Sequence, residues 1–359
     1  MEVYCFMPLD HPEGLNLFHQ VAAAVYAEDD IWVPQSEGLF ERLLANSTAA
    51  EVADTAAAEV NVIQVQAAIC LEAGQPLARA AAIYHPRAAP QGYIGFFEAL
   101  PGANSAARMV FAHCEQILRQ WGAETVQAPR ADNQLMGLLV KGFDLPQSIF
   151  TPHNPPYYLS MFQAAGYQQV ERLCAYHFTR DSVKPLQEAL SFLPPGIRTR
   201  AFDRRQLERE VQALNTLQAH IFRSHAGYVP RSLEEDRRMV ESFLPLLDDE
   251  LVIFAENSSA EPVGLLICLP DIYQAYKGKV VTAARLISIG VLPGWRHKGC
   301  GAQMAAHLTR NLLQKGYQSL EASWIKSTNH LPQNLARRFG GTPGREFALF
   351  QKKLPGSSA

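Results

Sequence analysis

Six consecutive residues, Arg296-His297-Lys298-Gly299-Cys300-Gly301, combine cationic side chains with two glycines. They lie between stretches of different period. Residues 286–292 are an apolar run of strand length, ended by Pro293 and Gly294. From Ala302 onward, Met304, Leu308 and Leu312 recur every four residues, which makes one helix face, and Gly316 closes it. The first N–H groups of a helix have no internal partner and sit at the positive end of its dipole, so they attract anions. Gly299 and Gly301 have no Cβ, so a phosphate can approach the backbone. Arg296, His297 and Lys298 add positive charge. The ligand this predicts is a diphosphate.

The spacing is neither that of a P-loop nor Gly-x-Gly-x-x-Gly. It resembles the Arg/Gln-x-x-Gly-x-Gly/Ala signature of the GNAT acyltransferase superfamily, set after a strand that ends Gly290-Val291-Leu292-Pro293. The resemblance is specific over 251–353 and diffuse over 1–180. It implies an α/β chain with the α+β mixed-sheet GNAT fold. It also implies that acetyl-CoA or a longer acyl-CoA is the co-substrate, with no metal. The diphosphate would meet Arg296, His297, Lys298, Gly299, Cys300, Gly301 and Ala302. The acyl carbonyl and pantetheine would lie along Ile289, Gly290 and Val291, and Asn329 or Asn334 would contact the cofactor arm. The reaction implied is direct transfer, in a ternary complex, to an amine of a small molecule or peptide.

Such a transfer needs a base for the amine proton and an acid for the leaving thiolate. The superfamily often supplies the acid as a tyrosine four residues before the glycine that ends the last helix. Counting back from Gly340 gives Ala336 here. The remaining candidates are Ser288 on the central strand, Glu321 and Ser323 on the next, and His225 or Tyr228 in a loop between two helices. Cys300, between two glycines, reads as a small filler, and His307 as a structural mid-helix residue. A non-catalytic acyl-CoA-binding or regulatory module is the alternative, favoured by the missing tyrosine.

These residues must be positioned by elements that occur twice. Strands are expected at 3–7, 65–71, 77–84, 93–97, 125–128 and 170–178, with helices at 15–27 and 106–122 and one starting at Pro156. A helix-like segment is expected at 39–44, and a loose helix or a loop at 47–60. The second half has helices at 207–222 and 233–246, a hairpin of 251–255 and 263–269, the central strand, its helix, a strand at 320–325, a helix at 330–339 and a strand at 347–353. Adding 194 carries Ala112 to Ala306, His113 to His307, Leu118 to Leu312, Gly122 to Gly316 and Ala128 to Ala322. The same shift carries the basic loop to Gly102-Ala103-Asn104-Ser105-Ala106-Ala107, which has no cationic side chain. Two tandem GNAT-like domains follow: a degenerate one at 1–180, a linker at 181–197 containing four of the chain's prolines and glycines, and an acyl-CoA-binding catalytic domain at 198–359. Other tandem members with one degenerate half include mycothiol synthase, N-myristoyltransferase and the Fem-type peptidyltransferases. In this arrangement 154–158 and 225–228 would help shape an acceptor site.

The composition narrows the class. Of 359 residues, 48% are hydrophobic and 19% charged, which suits packed cores and not a disordered chain. A formal net charge of −3 provides no basic footprint for nucleic acid, which argues against an aminoacyl-tRNA acceptor. The six cysteines form no Cys-x-x-Cys pair and read as free thiols in a reducing compartment. No signal peptide or membrane-spanning run is evident, so a cytoplasmic protein is expected.

Overall fold

The computed structural model describes residues 1–7, 11–34, 63–131, 135–182, 196–223 and 228–356. The chain divides into two units, Met1–Arg172 with Arg345–Ala359, and Leu173–Gly344. The segments expected at 39–44 and 47–60, and most of the expected linker, lie outside the described residues.

The first unit opens with β1 (Glu2–Phe6) and α1 (Pro12–Val25), where Pro12 suits a first helical turn because its missing N–H has no partner there anyway. β2 (Gln64–Glu72) and β3 (Gln75–Tyr84) pair antiparallel across Ala73-Gly74. Both turn residues have positive φ, 50° and 79°, as a two-residue hairpin twisting with its strands requires. β4 (Gln91–Ala99), α2 (Asn104–Gln120) and β5 (Thr125–Ala128) form a strand–helix–strand unit whose strands pair in parallel. β6 (Leu138–Lys141), absent from the sequence reading, precedes α3 (Tyr158–Ala164) and β7 (Gln168–Thr179). Alanines make the sheet thin: Ala68, Ala78, Ala80 and Ala82 meet Val110, Phe111 and Cys114 of α2, while Ala67 and Ala81 face Phe18 of α1.

The second unit runs β8 (Arg198–Ala201), α4 (Leu207–Ile221), α5 (Leu233–Phe243), β9 (Val252–Glu256), β10 (Pro262–Pro270), α6 (Tyr273–Tyr276), β11 (Ala283–Val291), α7 (Cys300–Gln314), β12 (Ser319–Lys326) and α8 (His330–Arg338). Ser232 and Glu235 start α5 with a reciprocal capping box, satisfying two helix-end donors. The sheet order is β7-β12-β11-β10-β9-β8. Met304, Leu308 and Leu312 of α7 cover one face, and Val211, Leu214, Leu217 and Ile221 of α4 the other.

The last strand, β13 (Thr342–Lys353), pairs with β5 and β6 through residues 346–353, so these belong to the first unit. Residues 173–179 of β7 pair with β12 and belong to the second. The units therefore divide differently from 1–180 and 198–359. A strand's unit is set by long-range pairing, which sequence proximity does not reveal. The 194-residue shift maps α2 onto 298–314, against an observed α7 of Cys300–Gln314, and β5 onto 319–322 at the start of β12.

Candidate active site

β11 and β12 pair in parallel only over Ala283–Leu286 and Ser319–Ala322. On its other side β11 carries a bulge: Ile267 faces Ser288 while Cys268 faces Leu286, leaving Ile287 as an extra residue. The β12–β7 pairing also shifts register, between Ala322 and Ile325. Both central strands thus leave regular pairing at one level, as bulged strands do. Past that level, Ile289 is 37% exposed on a strand in mid-sheet. Gly290 and Val291 are half-buried. The parted strands form a fork.

The basic loop stands at the end of β11. Leu292 N–H donates to Val263 O at 2.9 Å, and a single turn at Pro293–Trp295 brings the chain round. His297 and Gly299 take positive φ, 63° and 83°, and Gly299 is the N-cap of α7. A helix here normally starts with Ser, Thr, Asp or Asn, whose side chain accepts from the first turn. Gly299 has none, and no side chain caps α7 among the described residues. The first N–H groups, at Cys300, Gly301 and Ala302, are therefore left for an external acceptor. A Cβ placed on Gly301 would meet nothing within 4 Å. Arg296, His297 and Lys298 are exposed around this opening. Arg296 Nε donates to Val291 O at 3.3 Å, and Lys298 Nζ lies 4.9 Å over the Trp295 ring. Cys300 is buried, its Sγ 3.5 Å from Trp295 O, and burial pushes its thiol up.

A polar cluster lies on the opposite face of the fork. Arg285, 1% exposed, donates from Nε to Ser323 Oγ at 2.8 Å, and Ser323 Oγ donates to Glu321 Oε1 at 2.7 Å. The Arg285 and Glu321 charges are 4.0 Å apart, and the guanidinium sits 4.6 Å over the Trp324 ring. Ser288, opposite Ile267, points to the α4 side as Arg285 does. No hydrogen bond to its hydroxyl is found among the described residues. Sequence reasoning missed Arg285. Its signal was an arginine inside an apolar run beside Glu321 on the next strand, since buried charges in sheets come paired.

The other expected residues fall apart from this cluster or beside it. Tyr228 is half-buried against Phe222 at 6.2 Å, and burial raises its hydroxyl pKa. His225 lies outside the described residues. Asn329 is the exposed N-cap of α8 and makes no side-chain cap; Asn334 accepts from Arg337 at 3.5 Å. Gln333, which was not expected, organises the β12–α8 turn by donating to Lys326 O, Ser327 O and Asn329 O. Ala336 is buried in the α7-side core. Tyr157 donates to Ala99 O and Tyr158 to Glu98, and Asn154 bonds Leu139 at both its amide atoms, all within the first unit. His307 Nδ1 bonds Thr199 Oγ1 at 3.0 Å, and burial lowers its pKa. Cys5, Cys70, Cys114, Cys268 and Cys300 form no disulfide. Among the described residues there is no metal-ligand cluster and no helix long and apolar enough to cross a membrane.

Comparison with known proteins bears on the family and the fold. Residues 213–340 match the Acetyltransferase (GNAT) family. The chain is 25% identical to "Protein YghO" of Escherichia coli (strain K12), over 95% of this chain and 93% of that protein. It is 27% identical to the "Bacterial ceramide synthase" of Caulobacter vibrioides (strain NA1000 / CB15N), over 68% and 71% of the two chains. Among solved structures it resembles a tandem GNAT protein from the clavulanic acid biosynthesis pathway, with TM-score 0.55 and 14% identity, covering 90% and 97%. A GCN5-related N-acetyltransferase from Sphaerobacter thermophilus matches with TM-score 0.53 and 19% identity, covering 92% and 96%.

Proposed function

We propose that this chain, which carries a GNAT-family domain and the fold of tandem GNAT proteins, transfers an acyl group from acyl-CoA to an amine. The observation that carries this reading is the fork of β11 and β12 ending on an uncapped, glycine-started helix ringed by Arg296, His297 and Lys298. A diphosphate on the N–H groups of Cys300, Gly301 and Ala302 would leave the pantetheine arm to run toward Ile289–Val291, where β11 has no β12 partner and its backbone N–H groups would hold an amide or a thioester carbonyl. In the transfer, the amine nitrogen bonds to the carbonyl carbon and the C–S bond breaks. The amine proton leaves to a base, and the thiolate takes a proton. We assign proton acceptance to Glu321, directly or through water, held in place by Ser323 and Arg285. We assign proton donation to Ser288, with Tyr228 the alternative donor.

The donor is acetyl-CoA or a longer acyl-CoA. The likeness to a protein named bacterial ceramide synthase favours a longer chain and a long-chain amino alcohol as acceptor, since a ceramide is such an amine in N-acylated form. Ile289, Val291 and Leu292 would give that chain an apolar start. A second reading, an acyl-CoA-binding module without turnover, is favoured by the buried Ala336 at the position where the superfamily often places its tyrosine acid.

Titration with acetyl- and palmitoyl-CoA, followed by free-thiol release with simple amines and long-chain amino alcohols, tests both. Amine-dependent thiol release supports the enzyme. Saturable binding without release for any pair supports the module. Absence of binding to either thioester rejects both.

A further inference from the structure

The first unit repeats the fork without the basic loop. β4 and β5 pair only over Gln91–Tyr93 and Thr125–Gln127, and β4 then bulges: Arg79 faces Glu98 while Ala81 faces Gly95. Phe96, within the bulge, takes φ 54°. Where the second unit has an open mouth, the first has a cavity of about 70 Å³. Its walls include Trp32, Phe97, Tyr158 and Phe162, and Glu98 lies among them.

The two carboxylate oxygens of Glu98 are treated unequally. Oε2 receives Tyr26 Oη at 2.8 Å and Tyr158 Oη at 2.7 Å. Oε1 receives no hydrogen bond among the described residues, and its nearest cation, Arg79 Nη2, is 3.9 Å away. Arg79 also donates from Nη1 to Phe18 O at 2.9 Å and stacks over the Phe18 ring at 4.5 Å. The basic side chains on the cavity wall, Arg130 and His153, are engaged elsewhere. Arg130 donates to Gln127 at 2.8 Å and lies over the Tyr93 ring, and His153 meets Asp29 at 2.8 Å. Tyr26, Tyr157 and Tyr158 are the other titratable groups that act on Glu98, all with hydroxyl pKa values raised, first by burial and then by the Glu98 charge. Burial outweighs Arg79 and raises the Glu98 carboxyl to about 7. Oε1 is the carboxylate atom left for a ligand, and Glu98 lines a chamber whose aromatic walls favour cations.

We propose that this cavity is a second ligand site, binding a small primary alkylammonium with its head on Glu98 Oε1 and its alkyl part between Trp32, Phe97 and Phe162. An anion would meet the carboxylate unfavourably, and a neutral molecule would leave the charge unanswered. The site is independent of the acyl-transfer reading.

Calorimetry on the full chain with n-propylammonium chloride, against n-propanol as the neutral isostere, tests it. Binding should favour ionised Glu98, so affinity rises about tenfold or more from pH 5.5 to 8 and falls once the amine itself deprotonates. Below pH 7 the complex forms with proton release, read as a heat that varies with buffer ionisation enthalpy. Glu98→Gln should remove propylammonium binding while acyl-CoA binding stays at the parent level. Three results would each overturn the proposal: no saturable binding of propylammonium up to 20-fold above ~1 mM, equal binding of propanol, or parent-like binding by Glu98→Gln. If that variant does not fold, the pH profile and proton release of the parent decide alone, since a site elsewhere on the surface would show neither.

Discussion

Gly290 and Ile221 touch through a missing side chain: a Cβ on Gly290 would lie 2.4 Å from Ile221 Cγ2. The α4 helix therefore rests on the backbone of β11 beside the fork. Gly290→Ala must push α4 away or bend β11, and overpacking of this kind destabilises by about 1–3 kcal/mol. Ile221→Ala removes that Cγ2, so Gly290→Ala should cost less in the Ile221→Ala background than in the parent. Urea denaturation of the parent, the two single variants and the double variant checks it; equal stability of Gly290→Ala and parent would show that the contact is not tight.

Gly301 makes the opposite case. With nothing within 4 Å, Gly301→Ala fits without shifting the fold and should leave the melting temperature level or slightly higher, as Ala replaces Gly in a helix. Gly301→Glu should also fold, yet lose acyl-CoA binding, because its carboxylate would occupy the anion position. Ser105→Glu, exposed in the corresponding loop of the first unit, should leave acyl-CoA affinity unchanged, because that loop has no cationic side chain. A thermal-shift titration of all three separates the loop's two roles.

Arg296→Ala should weaken acyl-CoA by about 1–3 kcal/mol, the range for a charge-assisted contact. The proposed contact is to the diphosphate, so dephospho-CoA should lose affinity equally. An undiminished affinity for both would mean that Arg296 stays on Val291 O when ligand binds.

Ser288 and Glu321 should separate in kinetics. Ser288→Ala removes a hydroxyl with no partner among the described residues, so stability should hold while kcat falls by ~10- to 100-fold at unchanged KM for acyl-CoA. Glu321→Gln removes a counter-charge from buried Arg285 and should lower stability by about 3 kcal/mol as well as turnover. A Glu321→Gln protein as active as parent would move the base elsewhere.

Glu98 predicts a pH signature of stability. Its carboxyl is raised in the fold from 4.5 to about 7. The folded state then holds a proton that the unfolded chain has released, so the contribution is full below about pH 4.5 and is lost as pH rises to 7. A shift of that size corresponds to about 3 kcal/mol. Glu98→Gln should remove this part of the slope, gaining relative to parent between pH 5 and pH 8. Parallel stability curves for the two proteins would place the carboxyl near its ordinary value.

How much of this was written in the sequence depends on the range of the interactions. The α7 helix and its loop were legible because a period of 3.6, a glycine N-cap and three basic residues are local signals. The hairpin at Ala73-Gly74 was legible for the same reason. The fork was not, because a bulge at Ile287 depends on the register of β10. Arg285 was overlooked because its meaning lies on a neighbouring strand 36 residues away, at Glu321. The Glu98 chamber was invisible because it gathers Tyr26, Arg79 and Tyr158 from three separate elements.

The membership of β13 bears on how the molecule is made. The sheet of the first unit includes residues 346–353, so its hydrogen bonding to β5 and β6 waits on residues far along the chain. The N-terminal half leaves the ribosome with those strand edges still unpaired while some two hundred further residues are translated. Fusion of a bulky partner a few residues after Lys353, or a stop codon before Arg345, would therefore strike the half of the protein that was synthesised first.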